Sequence, residues 1–254
     1  MAFINLKYYS EVLGRQTEID VMLPQKSASG AIGVENNGSA ERYKTLLLLH
    51  GLSDDKSIWS RYTCIDRYAM EYGIAVVCPT AEKSFYTDMK YGDKYYTYIS
   101  DEVLRIARQF LPLSDKREDT FIAGNSMGGY GALKIGLKNP DKFAAAAGLS
   151  SVADVQSFID ERRPDLKELI FGSNEKIADE ENLFALADMY KDRAQNPRIY
   201  MGVGFQDYMY KENVRLKEHF EKLGYDFTYR ESEGGHNWKL WDEYIQYVLK
   251  WIFE

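Results

Sequence analysis

The 254-residue chain holds only two cysteines, Cys64 and Cys78. Two thiols do not make a disulfide framework, and without a CxxC or a His/Cys cluster there is no zinc pattern. They read as reduced thiols of a cytoplasmic protein. Positive charge is scarce as well. The formal net charge is −7, and the lysines and arginines are scattered with no basic block. Such a surface neither tracks a phosphate backbone nor adheres to anionic lipid, which argues against nucleic acid and membrane as partners. Long apolar runs are missing: the longest small-residue stretch, residues 144–149, is far short of a bilayer span. The N-terminus, MAFINLKYYSEVLGRQTEID, has no basic segment leading into an apolar one and does not read as a secretory signal. Histidine is rare, three in all, which narrows the search for a general base.

The patterning that is present has two periods. Residues 2–10 and 17–23 are rich in β-branched and aromatic side chains and read as strands, the second closed by Pro24. Residues 25–42 are polar and rich in Gly, Ser and Asn, a loop composition. Then come continuous apolar runs at 45–49 (TLLLL), 74–78 (IAVVC), 120–123 (TFIA), 144–149 and 199–203 (IYMGV), with a last strand at 227–231. Runs of that kind suit strands buried on both faces of a parallel sheet. Helical stretches such as 100–111 and 127–137 separate them. The alternation predicts one α/β domain over residues 1–254, with a mostly parallel sheet and helices on both faces. Residues 151–196 break the rhythm and read as a helical insertion over the active-site edge of the sheet. Residues 238–253 form an amphipathic helix whose Trp241, Tyr244, Ile245, Val248, Leu249 and Ile252 read as core.

Residues 124–128, Gly-Asn-Ser-Met-Gly, match G-x-S-x-G. Three fixed residues at about 7% each give roughly a one-in-ten chance of a random match in a chain this long, so context decides. The motif follows an apolar strand and opens a helix, as a nucleophile elbow must. Small neighbours leave clearance for the sharp turn that exposes Ser126. The base follows from the short list of histidines. His219 lies in KENVRLKEHFEKLG beside apolar positions and reads as a helix surface residue. His50 ends the TLLLL run. His236 lies in a Gly-containing loop after the last strand and before the last helix, where a base is held. An acid should fall between serine and histidine in chain order. Asp207 follows the 199–203 strand through a short loop. Asp192 and Asp226 precede their strands, at the wrong end, and Asp242 comes after His236. Asp207 is also a natural cap for the helix that follows. The oxyanion donors should be the backbone N–H of Met127 and one from His50-Gly51-Leu52-Ser53, that of Leu52, with Gly51 as the alternative.

The motifs LLLLHGLSDD, FIAGNSMGGYGALK, GFQDYMY and EGGHNWKLWDEYI, in that order, resemble the esterase D family of α/β-hydrolases. That family includes S-formylglutathione hydrolases and bacterial tributyrin and feruloyl esterases. The resemblance runs over nearly the whole chain and looks strongest to the tributyrin-esterase branch. It implies the α/β-hydrolase fold, hydrolysis of short-chain acyl esters, no cofactor and frequently a homo-oligomer; the lack of a ligand cluster predicts no metal. It carries Ser126, Asp207 and His236 over as the triad, and Leu52 and Met127 as oxyanion donors. The formylglutathione branch usually has Ser-Gly-Leu-Thr-Cys where this chain has His50-Gly51-Leu52-Ser53, so a glutathione thioester is the less expected substrate. Phe85, Tyr86, Tyr91, Tyr95, Tyr96 and Tyr98 leave two readings open: an acyl or sugar pocket for a feruloyl-like group, or packing at a loop and subunit contact. An acyltransferase on the same scaffold is a further alternative. A binding module on an inactive hydrolase fold is disfavoured by the intact order of serine, acid and base.

Overall fold

The computed structural model describes residues 1–25, 41–173 and 176–254. All but the ends of the loop expected over 25–42 lie outside that range. Eight strands build one sheet: β1 (Ala2–Ser10), β2 (Arg15–Leu23), β3 (Thr45–Leu49), β4 (Ala75–Pro79), β5 (Thr120–Asn125), β6 (Ala145–Leu149), β7 (Arg198–Gly204) and β8 (Phe227–Ser232). Their order is β1-β2-β4-β3-β5-β6-β7-β8. β2 runs antiparallel to both neighbours and the remaining pairs are parallel. The chain therefore has the α/β-hydrolase architecture expected from its pattern.

The helices are α1 (Ile58–Tyr62), α2 (Ile65–Tyr72), α3 (Tyr95–Thr97), α4 (Val103–Phe110), α5 (Met127–Lys138), α6 (Val155–Arg162), α7 (Pro164–Phe171), α8 (Leu183–Tyr190), α9 (Tyr210–Leu223) and α10 (Trp238–Phe253). Every residue of β3, β4, β5 and β6 is buried. Because side chains alternate along a strand, each run feeds two cores. Leu46 and Leu48 face Trp59, Tyr68 and the apolar stripe of α10. Leu47 and Leu49 face the other layer, with Val103, Leu133, Leu186 and Leu216. Strict alternation of polar and apolar residues is absent because neither face meets water.

Two boundaries moved for local reasons. β4 begins at Ala75, not Ile74, because Ile74 N–H still donates to Ala69 O across the left-handed turn at Gly73 (φ 63°). The helix expected from residue 100 begins at Tyr95 and reaches α4 through a π-helical turn, Tyr98–Glu102. The buried Glu102 of that turn accepts from Ser10 and from the N–H of Glu11, tying the β1–β2 hairpin to the helix layer.

The segment between β6 and β7 folds into α6, α7 and α8. Asp154 and Asn182 cap α6 and α8 through their side chains, and Pro164 stands in the first turn of α7. A buried ion pair fastens this segment to α5. Lys134, with no solvent exposure, donates to Glu181 at 2.6 Å, Thr87 Oγ1 at 2.9 Å and Phe85 O at 3.0 Å, which occupies all three ammonium protons. Burial pushes the ammonium below the usual lysine range. Burial pushes Glu181 upward, but Lys134 beside it outweighs this and leaves the carboxyl below its usual range. Removing one partner of such a pair strands a buried charge and costs about 3–5 kcal/mol. Glu181→Leu should therefore lose stability of that order in urea denaturation, and Lys134→Met in the same chain should restore most of it. A Glu181→Leu chain within about 1 kcal/mol of the parent would show that the pair does not hold the segment.

Candidate active site

β5 delivers the chain to Ser126, which sits at φ 55° and ψ −119° as the N-cap of α5. That backbone region is costly for a serine and survives only where its surroundings fix it. Here Ser126 N–H donates to Leu149 O at 2.8 Å, and Ser126 O accepts from Tyr130 N–H at 3.1 Å. The flanking glycines are a matter of space. A Cβ on Gly124 would stand 2.4 Å from Gly128 O, and one on Gly128 would stand 2.5 Å from Leu49 O.

The other two predicted side chains meet this serine. Ser126 Oγ lies 3.0 Å from His236 Nε2, and His236 Nδ1 lies 3.0 and 3.1 Å from the two oxygens of Asp207. The Asp207 carboxylate can only accept, so it places the ring proton on Nδ1 and leaves Nε2 to accept from the serine hydroxyl. The Asp207 side chain is fully buried and also accepts from Met209 N–H at 2.8 Å, so it braces the turn into α9 as well. All three groups emerge beyond the carboxyl ends of β5, β7 and β8, where reactive groups gather on an open α/β sheet. The rejected residues stand elsewhere. Asp226 O receives Ile199 N–H at the opposite end of β7. Asp242 accepts from Tyr68 Oη, and His219 Nε2 lies 3.2 Å from Asp188 on the flank of α9.

Leu52 lies in the turn after β3, and Met127 follows the serine as the first residue of α5. Among the described residues neither backbone N–H has a protein acceptor. A cleft of about 520 Å³ opens over Ser126, lined by Leu52, Asp54, Lys83, Arg163, Tyr208, His236 and Trp238, among others. Burial first, then the adjacent Asp55, pushes Asp54 above the usual carboxylate range. The imidazole of His236 packs between Tyr208, with ring centroids 4.5 Å apart, and Trp241, at 4.9 Å in an edge contact. Among the described residues no group of three or more His, Cys, Asp or Glu side chains could hold a metal ion.

Several of these cleft residues were not legible as such. The helical pattern places Trp241 in the core; in the structure it is both core and wall, and its indole donates to Ser150 Oγ at 3.1 Å. Its position three residues after Trp238 and five after His236 was the available signal. Arg163 enters from the α6–α7 junction, and it is the inserted segment's contribution among the lining residues. Of the two readings open for the aromatic residues of 85–98, packing is the one met at this cleft: none of the six lines it. Phe85, Tyr86, Tyr95 and Tyr98 are buried in the core, the first two on a turn with positive φ (both 51°).

The strand order, the serine on its elbow and the histidine–aspartate pair define an α/β-hydrolase with the side-chain set of a serine esterase. A family model described as "Putative esterase" matches residues 10–252, and the chain belongs to that family. An acetyl esterase of Caldicellulosiruptor saccharolyticus is 33% identical over 263 residues, covering 99% of this chain and 98% of that one. Two solved Staphylococcus aureus structures are each 36% identical. The fluorophosphonate-binding serine hydrolase FphF, substrate bound, has a TM-score of 0.90 and covers 100% of this chain and 98% of its own. The S-formylglutathione hydrolase FrmB has a TM-score of 0.87, covering 100% and 99%. The protein is a carboxylic ester hydrolase. Among the described residues no helix is long and apolar enough to cross a membrane.

His50, at the end of β3, has a measurable consequence. Burial holds its pKa down, at about 4. The unfolded chain takes up this proton near the ordinary imidazole value of about 6.5. Between those two values the unfolded state binds more protons, so stability falls as pH drops through that window and the loss levels off below it. The shift amounts to roughly 3 kcal/mol. Urea denaturation from pH 7 down to pH 4 should show the parent losing stability more steeply than His50→Asn by about that amount. Parallel curves would mean that His50 does not contribute to acid sensitivity.

Proposed function

We propose that the chain hydrolyses short-chain acyl esters through an acyl-enzyme on Ser126. The observation that carries this reading is the continuous hydrogen-bonded path Ser126–His236–Asp207, with both steps at 3.0 Å. His236 Nε2 takes the hydroxyl proton as Oγ bonds to the ester carbonyl carbon. The N–H groups of Leu52 and Met127 receive the negative charge that develops on the carbonyl oxygen. Collapse breaks the carbon–oxygen bond, and His236 returns the proton to the departing alcohol. Water then repeats the sequence in reverse and releases the acid. Asp207 holds the ring tautomer and stabilises the imidazolium.

A short acyl group is supported by the relative named acetyl esterase. A glutathione thioester is a second reading. It is favoured by Lys83 and Arg163, two cations at the cleft that suit an anionic leaving group, and by the relative named S-formylglutathione hydrolase. A cytoplasmic location and a small-molecule ester substrate are part of the main reading, in keeping with the free thiols of Cys64 and Cys78.

A panel of p-nitrophenyl acetate to octanoate, methyl ferulate and S-formylglutathione ranks these substrates. The main reading requires kcat/KM to peak at the short acyl esters. A peak at octanoate or methyl ferulate refutes that preference, and one at S-formylglutathione favours the second reading. With an alcohol acceptor present, transesterified product in excess of free acid would indicate an acyltransferase. Ser126→Ala should lose fluorophosphonate labelling and about 10⁶ in kcat. Asp207→Asn should keep the fold while lowering kcat by up to about 10⁴, less for an activated ester. If Asp207→Asn stays within a few-fold of the parent while Asp192→Asn or Asp226→Asn collapses, the acid is misassigned.

A further inference from the structure

The loop after β3 is held in an unusual way. Three consecutive carbonyls along it each receive a hydrogen bond from a different buried side chain. Trp59 Nε1 donates to Leu49 O at 3.0 Å. Tyr86 Oη donates to His50 O at 2.8 Å. His50 Nδ1 lies 2.6 Å from Gly51 O. The last donor is fixed by chemistry. Ala81 N–H, which can only donate, points at His50 Nε2 from 2.8 Å, so Nε2 is the acceptor and the ring proton sits on Nδ1. Gly51 O also receives Asp54 N–H at 3.3 Å.

These bonds fix three peptide planes in series. Among the described residues no peptide bond is cis, and in a trans peptide the C=O and the next N–H point in opposite directions. With Gly51 O turned onto the His50 ring, the N–H of Leu52 is turned the other way, and Leu52 lines the cleft over Ser126. We infer that Trp59, Tyr86 and His50 are positioning residues that aim the Leu52 N–H at the developing oxyanion. This inference rests on the acyl-enzyme reading above. Preorganised donors are effective because they need no reorientation when charge appears.

The support for Tyr86 reaches further. The turn that carries it is gripped by Lys134, which bonds Phe85 O and Thr87 Oγ1 while paired with Glu181. Its ring packs closely on α5, where a Cβ on Gly131 would come within 2.3 Å of Tyr86 Cδ2. Thus the phenol is rigid, and its hydroxyl has one acceptor.

Side-chain mimicry makes the test sharp. Asparagine places an N–H donor where Nδ1 stands, and glutamine places its amide nearer Nε2. Tyr86→Phe removes one donor and keeps the ring. The measurements are kcat, KM, melting temperature and the inhibition constant of an alkyl trifluoromethyl ketone, which forms an oxyanion on the serine. Tyr86→Phe and His50→Gln should lower kcat by about 10- to 10²-fold, approaching the loss of a whole oxyanion donor, with KM within about threefold. The ketone's inhibition constant should rise by the same factor as kcat falls, because both read the oxyanion. His50→Asn should recover kcat to within about fivefold of the parent. Folded Tyr86→Phe and His50→Gln with parental kcat and ketone inhibition would overturn the assignment, and Tyr86→Phe decides alone if His50→Gln does not fold. A loss shared by His50→Asn and carried mainly in KM would also overturn it. Ser126→Ala, run alongside, separates the two levels: an active Ser126→Ala sinks the acyl-enzyme reading, whereas a dead one beside fully active positioning variants sinks only this inference.

Discussion

The sharp turn at Ser126 is the constraint on which the active edge depends. A serine at φ 55° is strained, and the strain is tolerated because β5, β6 and α5 pack closely around it. The close packing in turn forbids a side chain at Gly124 and Gly128, where even one carbon would meet backbone at 2.4 and 2.5 Å. With the turn in place, the hydroxyl stands clear of the sheet and the first N–H groups of α5 are left without helical partners. One local geometry therefore supplies both an exposed nucleophile and a free donor beside it.

The remaining parts are brought to this turn from distant points of the chain. β7 ends at Asp207, β8 leads to His236, and β3 leads to the Leu52 loop, because parallel strands present all their carboxyl ends on one edge. The sheet aligns these loops only coarsely, and side chains do the rest. Asp207 is fully buried and bonded to the His236 ring, while the ring is packed between Tyr208 and Trp241. The loop after β3 is fastened through Trp59, Tyr86 and His50. Lys134 and Glu181 connect the helices between β6 and β7 to the turn at residues 85–87 that carries Tyr86.

Most of the fold was legible because its signals are local. Continuous apolar runs mark strands covered on both faces, and β3, β4, β5 and β6 are buried throughout. The boundary at Ile74 was not legible, since its hydrogen bond back to Ala69 depends on the turn at Gly73 and not on hydrophobicity. Ser126, Asp207 and His236 could be chosen because chain order and strand ends restrict the candidates, and the fold brings those three within hydrogen-bonding distance. Arg163 and Lys83 carried no such mark. Each comes from a loop whose path is set by packing between layers.

By itself the sequence determined the α/β pattern, the elbow and the order of serine, acid and histidine, because spacing and residue type alone restrict them. Only the tertiary structure decided what the aromatic residues of 85–98 do. Their composition suited a binding pocket as well as a core, and in the fold Phe85, Tyr86, Tyr95 and Tyr98 are buried, the first two on a turn with positive φ. Tertiary structure likewise decided that Trp241 serves as cleft wall and core together, and that His50 is held neutral. Burial and the direction of a single N–H, that of Ala81, impose that state, and neither exists until the strands and helices have packed.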